Sequence, residues 1–419
     1  MNREELYIQK RIWKARIQSI AFYVCRIFPI RKRKIVFCCI EGTTGYSCNP
    51  KYIAEELIRK NKGEQDDKKK YELVWLVNDT AKQFPKEIKV VRNSLWNRAY
   101  QLSTAHFWID NSRKQLEVRK RKGQIYIQTW HAKLGFKPTC LDRGASFSKI
   151  AYLVSKHDSD LVDYWLSNSD WYDKTLKTGS LYEGKVLRTG SPRCDILVHA
   201  AEDEEFKRNV KLQICKQLNI SLEERFKEMD IDQIHFMMYA PTFRGGSQGT
   251  NRTVEVGDHF PDYEILKNAL EKRFGGKWVI LLRLHPQLVA RHLDGGMDNP
   301  FIVDASRVDD MYEILAGCDA FLTDYSSAAF DAAVMRIPVF LYADDYEEYE
   351  KERGKLLWDL KDESFPFIMA GNSVELREKV KDFRTDKYLK LLKKLMVDSG
   401  MLECGSSAKC IVDILSDRE

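Results

Sequence analysis

Two histidines of the 419-residue sequence occupy positions where a general acid or base could act. His131 follows the predicted strand Gln124–Gln128, and His285 directly follows the predicted strand Trp278–Leu284. Because an ordinary histidine has a pKa of about 6.5, an imidazole at a strand end can exchange a proton near neutral pH. A lone histidine more often satisfies a loop hydrogen bond. Two histidines that follow predicted strands, one in each half of the chain, are better evidence and favour a catalytic cleft.

Arginines and hydroxyls at other strand ends could bind phosphate. Arg283 lies two residues before His285 and would share its face in an extended chain, and Arg244 follows a third predicted strand. An arginine fork suits phosphate oxygens, although most arginines are structural or solvated. Ser326 and Ser327 begin a predicted helix that runs through Arg336. Its first turn is either an anion site or an ordinary helix cap.

Other chemically capable residues indicate no further site. The remaining six histidines lack a strand-end position and are interpreted as structural: His106, His157, His199, His235, His259 and His292. The adjacent acids Asp344 and Asp345 have no complete ligand set around them, so we predict no metal and no cofactor. The ten cysteines form no C-x-x-C pair and no zinc spacing, which favours reduced, mostly buried thiols in a cytosolic protein.

Positive charge is concentrated at the N-terminus. The composition, with 44% hydrophobic and 31% charged residues, is typical of a globular protein of about two domains. Residues 1–34 hold ten Lys or Arg and two Glu, a net charge of +8, whereas the whole chain carries +6. Local basic character favours an anionic surface as partner over nucleic acid. No signal peptide and no membrane-spanning run is predicted.

The N-terminal segment predicts an amphipathic helix over Ile8–Phe28, ended by Pro29. Its apolar stripe consists of Trp13, Ile17, Ile20, Val24, Ile27 and Phe28. A basic cluster, Arg31–Lys34, follows the helix. The stripe either packs on the first domain or lies on an anionic membrane, and the concentrated charge favours the membrane.

Two successive series of alternating strands and helices predict two doubly wound α/β domains. The charged, helical stretch Glu202–Met229 is interpreted as the transition between them. We assign residues 1–33 to a membrane-association segment, 34–205 to the first domain and 206–419 to the second. Ligands of such sheets bind beyond the carboxyl ends of the strands, so a cleft between the halves is the expected site.

Motifs in a fixed order between residues 34 and 354 resemble the CDP-glycerol glycerophosphotransferase family of teichoic-acid and capsule synthesis. They are N-P-K at Asn49–Lys51, Q-x-W-H at Gln128–His131 with Lys137 nearby, G-x-P-R-x-D at Gly190–Asp195, P-T-F-R at Pro241–Arg244, R-x-H-P at Arg283–Pro286 and T-D-Y-S-S-x-x-F-D at Thr323–Asp331. Ala132 stands where the family usually has glycine, which leaves the fine geometry beside His131 open.

The resemblance implies an α/β, GT-B-like fold. Two Rossmann-type doubly wound domains would face a central cleft, with the acceptor approached from the N-terminal domain and the nucleotide bound by the C-terminal one. The implied reaction transfers glycerol phosphate, or a related polyol phosphate, from CDP-glycerol or CDP-ribitol to a hydroxyl of a lipid-linked glycan or growing polymer. CMP leaves. The enzyme would be peripheral, at the cytoplasmic face of the bacterial membrane.

The resemblance also implies roles for individual residues. His131 would be the general base on the acceptor hydroxyl, and His285 would hold or protonate the diphosphate, although the two histidines could exchange roles. The expected substrate-binding residues are Arg244, Arg283, Thr323, Asp324, Ser326, Ser327, Asp331 and Lys137.

Two alternative functions remain open at the level of sequence. One is a GT-B glycosyltransferase that uses a nucleotide sugar. The other is a non-catalytic, membrane-associated binding protein that keeps the fold, against which stand both histidines and the D-Y-S-S block. The motifs do not distinguish glycerol from ribitol, or a primase from a polymerase.

Overall fold

The computed structural model of the protein describes residues 3–221, 229–242, 260–284 and 301–418. The chain forms two compact units, and neither is one continuous piece of sequence. The first consists of Met1–Lys133, Pro138–Asp195 and Met401–Glu419, and the second of Leu134–Lys137 and Ile196–Gly400. The division after Asp195 differs from the predicted boundary at residue 205, and the return of the C-terminal residues to the first unit was not predicted.

A seven-stranded parallel sheet forms the centre of the first unit. Its strands are β1 (Arg31–Cys38), β2 (Glu72–Val77), β3 (Ile88–Arg92), β4 (Ala105–Asp110), β5 (Ile125–Gln128), β6 (Tyr164–Ser167) and β7 (Lys185–Arg188). The order across the sheet is β3-β2-β1-β4-β5-β6-β7. The direction of winding therefore reverses between β1 and β4, and this switch point is where doubly wound sheets place their ligands.

Helices cover both faces of this sheet, which explains why its central strands are continuous apolar runs. They are α1 (Arg3–Val24), α2 (Cys48–Gly63), α3 (Leu95–Thr104), α4 (Lys149–Leu161) and α5 (Asp170–Gly179). Trp75 and Trp108 are fully buried in two different clusters of core residues. Ser94, Ser148 and Ser169 begin α3, α4 and α5 by accepting a first-turn N–H.

The second unit is built on a six-stranded parallel sheet. Its strands are β8 (Ile234–Tyr239), β9 (Lys277–Leu282), β10 (Ile302–Asp304), β11 (Ala320–Thr323), β12 (Val339–Tyr342) and β13 (Ile368–Ala370), in the order β10-β9-β8-β11-β12-β13. Its described helices are α6 (Asp195–Glu202), α7 (Glu204–Gln217), α8 (Tyr263–Phe274), α9 (Met311–Leu315), α10 (Ala328–Ala332), α11 (Tyr346–Arg353), α12 (Ser373–Lys381) and α13 (Thr385–Ser399). The switch point of this sheet lies between β8 and β11. The prediction of an α/β protein with two doubly wound, Rossmann-like sheets is confirmed.

The helix after β11 is shorter than the predicted one. α10 has five residues, a 3₁₀ turn over Ala333–Met335 follows, and Arg336 ends the segment in the left-handed conformation with φ of 58°. Ser327 is the residue at which the helix begins, and its side chain accepts no first-turn N–H. The hydroxyl of Ser326 accepts the N–H of Ala328 at 3.3 Å, so a serine contacts the helix start without forming the predicted cap. With so few aligned peptide dipoles, the helix end itself offers an anion little.

The C-terminal helix, α14 (Ser407–Ser416), packs into the first unit. Its apolar face, formed by Ile411, Val412 and Leu415, joins the same core cluster as β1 and β2. The carboxylate of Asp195 accepts the N–H groups of Ser407 and Ala408 at 2.9 and 2.8 Å. The aspartate of the G-x-P-R-x-D motif therefore caps a helix more than 200 residues away in sequence.

The N-terminal helix α1 has two apolar faces. Ile8, Ala15 and Phe22 are buried, and Phe22 belongs to a core cluster of the first unit. The six residues of the predicted stripe are all exposed, from 42% for Phe28 to 76% for Ile27. Phe28 packs on the first unit, with its ring 5.2 Å from that of Tyr100. The exposure of the other five residues does not fit the interpretation in which the stripe packs on the first domain. No helix among the described residues is both long and apolar enough to span a membrane.

Candidate active site

His131 lies in the loop that follows β5, near the switch point of the first sheet. Its Nδ1 lies 2.8 Å from the backbone oxygen of Asn111, which follows β4. A carbonyl oxygen can only accept, so Nδ1 carries the proton and Nε2 of the neutral ring keeps its lone pair. Burial lowers the pKa of His131 below its usual value. The ring is therefore held as a neutral base with a defined basic nitrogen.

The residue before His131 has an unusual backbone conformation. Trp130 has a φ of 49°, in the left-handed region that large side chains rarely adopt. Its N–H is bound by Oε1 of Gln128 at 3.0 Å, and its carbonyl by Nδ2 of Asn49 at 2.7 Å. The Trp130 and His131 rings lie 4.6 Å apart between centroids. Such a conformation persists only when its surroundings fix it, and here two amide side chains do so.

Arg193 binds the same loop as Asn49 and Gln128. Its Nη1 donates to the carbonyl of His131 at 2.6 Å, and its backbone N–H donates to Oδ1 of Asn49 at 3.1 Å. Arg193 is buried, with 4% of its surface exposed. The motifs N-P-K, Q-x-W-H and P-R thus converge on one loop. We call Asn49, Gln128 and Arg193 the loop clamp.

The amide of Gln128 is itself fixed by a buried polar network. Its Nε2 donates to the backbone oxygen of Ser112 at 3.0 Å, to the hydroxyl of Tyr126 at 2.8 Å and to Asp158 at 3.2 Å. Burial raises the pKa of Asp158 to about 6. With Nε2 committed to these acceptors, the orientation of the amide is determined and Oε1 faces the N–H of Trp130.

Asn111 links the two loops at the switch point of the first sheet. Its Oδ1 accepts the N–H of Ile40, after β1, at 2.8 Å, while its own carbonyl holds His131. The side chain therefore fixes the carbonyl that selects the histidine tautomer. Asn111 belongs to none of the quoted motifs.

In the second unit, the polar loop after β11 holds the predicted hydroxyls. Ser326 and Ser327 are both partly exposed. Leu134–Lys137, the segment three residues beyond His131 in sequence, is part of this unit. A Cβ on Gly135 would lie 3.4 Å from Cβ of Ser327, and Nζ of Lys137 lies 5.6 Å from the centroid of the Tyr349 ring. Lys137 and the two serines therefore belong to the same part of the second unit.

The Leu134–Lys137 segment is firmly held in the second unit. The indole of Trp358 donates to the carbonyl of Gly135 at 3.1 Å, and the N–H of Leu357 donates to the carbonyl of Phe136 at 2.8 Å. The Phe136 ring packs 4.9 Å from that of Phe330 in α10. This aromatic contact explains the phenylalanine of the motif T-D-Y-S-S-x-x-F-D.

The other residues of that motif are buried and bonded within the protein. Thr323 donates to the carbonyl of Ala240 at 2.6 Å. Asp324 accepts the N–H and the hydroxyl of Thr242 at distances of 2.9 to 3.0 Å, and Asp331 accepts from the hydroxyl of Tyr312 at 2.6 Å. The contact between Asp324 and Thr242 joins the loops after β11 and β8, at the second switch point. These three residues shape the loops, and their predicted contacts with substrate stay predictions.

Arg283 is also engaged within the protein. Its guanidinium donates to the carbonyls of Ala305 at 2.8 Å, Ser306 at 3.2 Å and Asp309 at 3.3 Å, and to that of Val308. Since β9 ends at Leu282, the arginine lies beyond the strand and turns to the loop after β10. The structure therefore gives Arg283 a loop-bracing role. His285 and Arg244 lie outside the described residues.

The described part of the chain contains no group of three or more His, Cys, Asp or Glu side chains placed to hold a metal ion. Asp345, one of the two adjacent acids, accepts the hydroxyl of Tyr325 at 2.8 Å. In the first unit, the candidate catalytic residue is a fixed neutral histidine. In the second unit, taken by itself, the candidate phosphate-binding residues are Ser326, Ser327 and Lys137.

Comparison with known families decides the family of this chain. The sequence model of the CDP-glycerol:poly(glycerophosphate) glycerophosphotransferases matches residues 20–415. The chain belongs to this family. Four of the six motifs that suggested the resemblance contain the loop clamp, His131 and the loop after β11, so for these motifs the sequence match and the geometry concern the same residues.

Named members of the glycerophosphotransferase family resemble the chain over different lengths. The teichoic acid poly(glycerol phosphate) polymerase of Bacillus spizizenii is 25% identical over 99% of both chains. The polymerase of the same name from Staphylococcus epidermidis is 29% identical over 77% of this chain, which spans 42% of that protein. A teichoic acid ribitol-phosphate primase of B. spizizenii is 30% identical over 56% of each chain.

Solved structures of another family member share the fold. The wall teichoic acid polymerase TagF superposes with a TM-score of 0.75 and 25% identity, covering 99% of this chain and 97% of that one. A TagF histidine-to-asparagine variant soaked with CDPG superposes with the same TM-score and identity.

Sequence reasoning found His131 and the serines but assigned no role to the residues that hold them. Asn49, Gln128 and Arg193 were quoted as motif matches only, and Asn111 was not singled out. The sequence does show that these residues are polar and that they end or follow buried strands or begin a helix. A polar side chain at such a position must find a hydrogen-bond partner. No local pattern predicts that three distant motifs share one loop.

The loop clamp predicts a specific effect of Asn49→Ala. The substitution leaves the Trp130 carbonyl and the Arg193 N–H without their amide partner, so the left-handed turn relaxes and His131 loses its orientation. We expect turnover of the CDP-activated donor to fall roughly 10- to 100-fold, since small misplacements of a catalytic group have effects of this order. Steady-state kinetics measure the change.

Asn61→Ala is the matched control. Asn61 lies in the same helix and also bridges a backbone N–H and carbonyl, those of Tyr71, at 2.8 and 2.9 Å. Both substitutions should lower the free energy of unfolding by about 1–3 kcal/mol. Only Asn49→Ala should reduce turnover, and equal effects of the two on turnover would contradict the role of the clamp.

Proposed function

We propose that the chain transfers a polyol phosphate, glycerol phosphate or ribitol phosphate, from its CDP-activated form to a hydroxyl of a lipid-linked glycan or growing polymer. The observation that carries the proposal is the fixed tautomer of His131 in a chain of this family. The ring offers Nε2 as a base, and its Nδ1 proton is held by the Asn111 carbonyl at 2.8 Å.

The reaction is an in-line displacement at the phosphorus that carries the polyol. The acceptor oxygen forms a bond to this phosphorus while its proton passes to Nε2 of His131. The bond from the phosphorus to the bridging oxygen breaks, and CMP leaves with that oxygen. Because such transfers need positioning and charge stabilisation more than covalent chemistry, a rigid base and a set of phosphate-binding donors suffice.

The lowered pKa of His131 suits this role. Burial disfavours the imidazolium, so the ring is neutral and ready to accept a proton at pH 7. When Nε2 gains a proton, the Asn111 carbonyl, which accepts from Nδ1, stabilises the positive charge of the ring. His285, which lies outside the described residues, stays the predicted acid or diphosphate ligand, and an exchange of the two roles stays open.

Donor phosphate oxygens are proposed to bind in the loop after β11. The hydroxyls of Ser326 and Ser327 are partly exposed, and Lys137 supplies a positive charge in the same unit. Hydroxyls and an ammonium group are ordinary donors to phosphate. Arg244, outside the described residues, stays a predicted further partner. The names of the relatives include both glycerol-phosphate and ribitol-phosphate enzymes, so the polyol is left to experiment.

We also propose that α1 holds the enzyme on the anionic cytoplasmic leaflet, where a lipid-linked acceptor is found. One face of α1 is anchored in the first unit by Phe22, while Trp13, Ile17 and Ile20 on another face are 52 to 65% exposed. Arg3, Lys10, Arg11, Lys14 and Arg16 are exposed along the same helix. A helix that exposes apolar side chains among basic residues has the composition of a helix that lies at a membrane interface.

Acceptor-dependent release of CMP tests the proposed reaction. Purified protein is given CDP-glycerol, CDP-ribitol or a nucleotide sugar, each with lipid-linked acceptor extracted from membranes. We expect CMP from at least one CDP-polyol, and a loss of roughly 100-fold or more in His131→Ala because a general base contributes at least that much.

His157→Ala is the control for the loss of a histidine. The His157 ring also bonds a backbone carbonyl, that of Val118 at 3.1 Å, and burial also lowers its pKa. Its removal should leave CMP release nearly unchanged. Full activity of His131→Ala would contradict the assigned base, and turnover of the nucleotide sugar alone would favour the glycosyltransferase alternative.

Vesicle binding tests the proposed membrane surface. Replacing Trp13, Ile17 and Ile20 by glutamate should weaken co-sedimentation with phosphatidylserine-containing vesicles more than tenfold, because charge replaces buried apolar area and repels anionic lipid. The control carries glutamate at Val374 and Val397, which are 55 and 69% exposed in the second unit. Equal binding of wild-type protein and the α1 variant would overturn the proposal.

A further inference from the structure

A buried lysine lies where the chain leaves the first unit for the Leu134–Lys137 segment. Lys133 is the last residue before that segment, and it follows His131 by two positions. Its side chain is buried, and its Nζ donates to the carbonyl of Gly190 at 3.0 Å and to the hydroxyl of Ser191 at 2.8 Å. The transfer reaction proposed above gives Lys133 no role.

The loop that binds Lys133 is also bound by the C-terminal segment. Oε2 of Glu403 accepts the N–H of Ser191 at 2.8 Å, and Oε1 accepts from Nδ2 of Asn168, which follows β6, at 2.9 Å. The N–H of Leu402 donates to the carbonyl of Asn168 at 2.7 Å. Ser191 therefore binds Lys133 through its hydroxyl and Glu403 through its backbone N–H. We call Lys133, Ser191 and Glu403 the exit cluster.

Gly190 lets the C-terminal segment approach this loop closely. It has a φ of 84°, in the left-handed region, and a Cβ at this position would lie 2.6 Å from Oγ of Ser407 and 2.8 Å from Oε2 of Glu403. Its own N–H donates to the carbonyl of Ser167, at the end of β6, at 3.1 Å. A side chain at position 190 would push the Glu403 carboxylate away from the loop. The first residue of the motif G-x-P-R-x-D is therefore explained by contact with the C-terminal segment.

The exit cluster joins three pieces of chain that each pass to or from the second unit. Three of the four passages between the units follow Lys133, Asp195 and Gly400. Lys133 directly precedes the first of these passages, Ser191 lies shortly before the second, and Glu403 lies shortly after the third. Because the three residues are bonded to one another within the first unit, the points where the chain leaves and re-enters this unit are held together.

We propose that Lys133 and Glu403 are positioning residues for His131. The loop clamp binds the backbone from Trp130 to the carbonyl of His131, whereas Lys133 ties the chain two residues later to the loop after β7. The turn is thereby fixed on both sides of the histidine, and the imidazole stays against the Asn111 carbonyl. Neither positioning residue touches substrate in this role. The effect on transfer rests on the proposed function, whereas the effect on the imidazole does not.

The tautomer of the His131 ring tests the positioning without requiring turnover. Lys133→Met removes the ammonium group at nearly the same side-chain length, and Glu403→Gln places an NH₂ group against one of the two N–H donors that the carboxylate binds. In full-length protein labelled with ¹⁵N in histidine, we expect the neutral ring to change from Nδ1–H alone to a mixture of both tautomers, because it is no longer held against the Asn111 carbonyl. Nδ1–H alone in both folded variants would overturn the proposal.

Kinetics with a CDP-polyol donor and lipid-linked acceptor supply the second measurement. We expect kcat to fall roughly tenfold or more in each variant, since small misplacements of a catalytic group have effects of this order. The KM for the donor should stay near its wild-type value, because the proposed phosphate-binding residues belong to the second unit. A raised donor KM with unchanged kcat would contradict a role in holding the base. Since both variants act through Ser191, the double variant should lose less than the product of the two single losses, and a full product would contradict the shared route.

Matched replacements in the second unit are the controls. Nζ of Lys379 also donates to a backbone carbonyl, that of Met369 at 2.9 Å, and Oε2 of Glu375 also accepts a loop N–H, that of Gly371 at 2.7 Å. Lys379→Met and Glu375→Gln should leave the His131 tautomer and kcat nearly unchanged. Effects as large as those of the exit-cluster variants would show a general loss of stability and would overturn the proposal.

Ser191→Ala is a smaller change that keeps the test decisive if a variant of either charged residue does not fold. It removes only the hydroxyl that Lys133 binds and leaves the backbone N–H for Glu403. We expect a smaller shift of the His131 tautomer in the same direction, and an unchanged ring in folded Ser191→Ala protein would overturn the role of Lys133. If wild-type protein releases no CMP, the proposed function fails, while the tautomer still decides the positioning.

Discussion

The strained turn at Trp130 is the constraint on which the first unit's site depends. Its left-handed backbone places His131 against the Asn111 carbonyl, and the turn is stable only because Gln128, Asn49 and Arg193 bind its polar groups. These three side chains come from separate elements: Gln128 ends β5, Asn49 lies in the first turn of α2, and Arg193 lies in the turn after β7. The sheet order, the helix that begins beside Asn49 and the buried network around Gln128 therefore act together on one imidazole.

The two units have the same kind of hydrogen bond at their switch points, from a backbone N–H of one loop to a polar side chain of the other. In the first, the Asn111 side chain after β4 binds the N–H of Ile40 after β1, and in the second, the Asp324 side chain after β11 binds the N–H of Thr242 after β8. A single polar side chain thus links the two loops that diverge where the winding of the sheet reverses. Ligands of such sheets bind at this place, so in each unit the hydrogen bond fixes the two loops that a ligand would contact. This hydrogen bond accounts for the aspartate of the D-Y-S-S block without any contact between Asp324 and substrate.

Much of the fold could be predicted from local pattern, because buried parallel strands are short apolar runs. The strands predicted over Gln124–Gln128 and Trp278–Leu284 are observed over Ile125–Gln128 and Lys277–Leu282. The association of α14 with the first unit could not be predicted, since it depends on an aspartate cap and apolar contacts between residues far apart in sequence. For the same reason the sequence identified His131 but missed the clamp that orients it. The N-terminal stripe shows the opposite case: periodicity identified the apolar face, but only packing shows that a different face, with Phe22, is the buried one.

The tautomer and pKa of His131 test the central claim most directly. Protein labelled with ¹⁵N only in histidine is titrated by NMR, and the His131 signals are assigned by their absence in His131→Gln. The structure predicts that Nδ1 carries the proton in the neutral ring and that the titration midpoint lies below the ordinary value of about 6.5. A neutral ring protonated on Nε2, or a midpoint above that value, would contradict a base that is oriented by the Asn111 carbonyl.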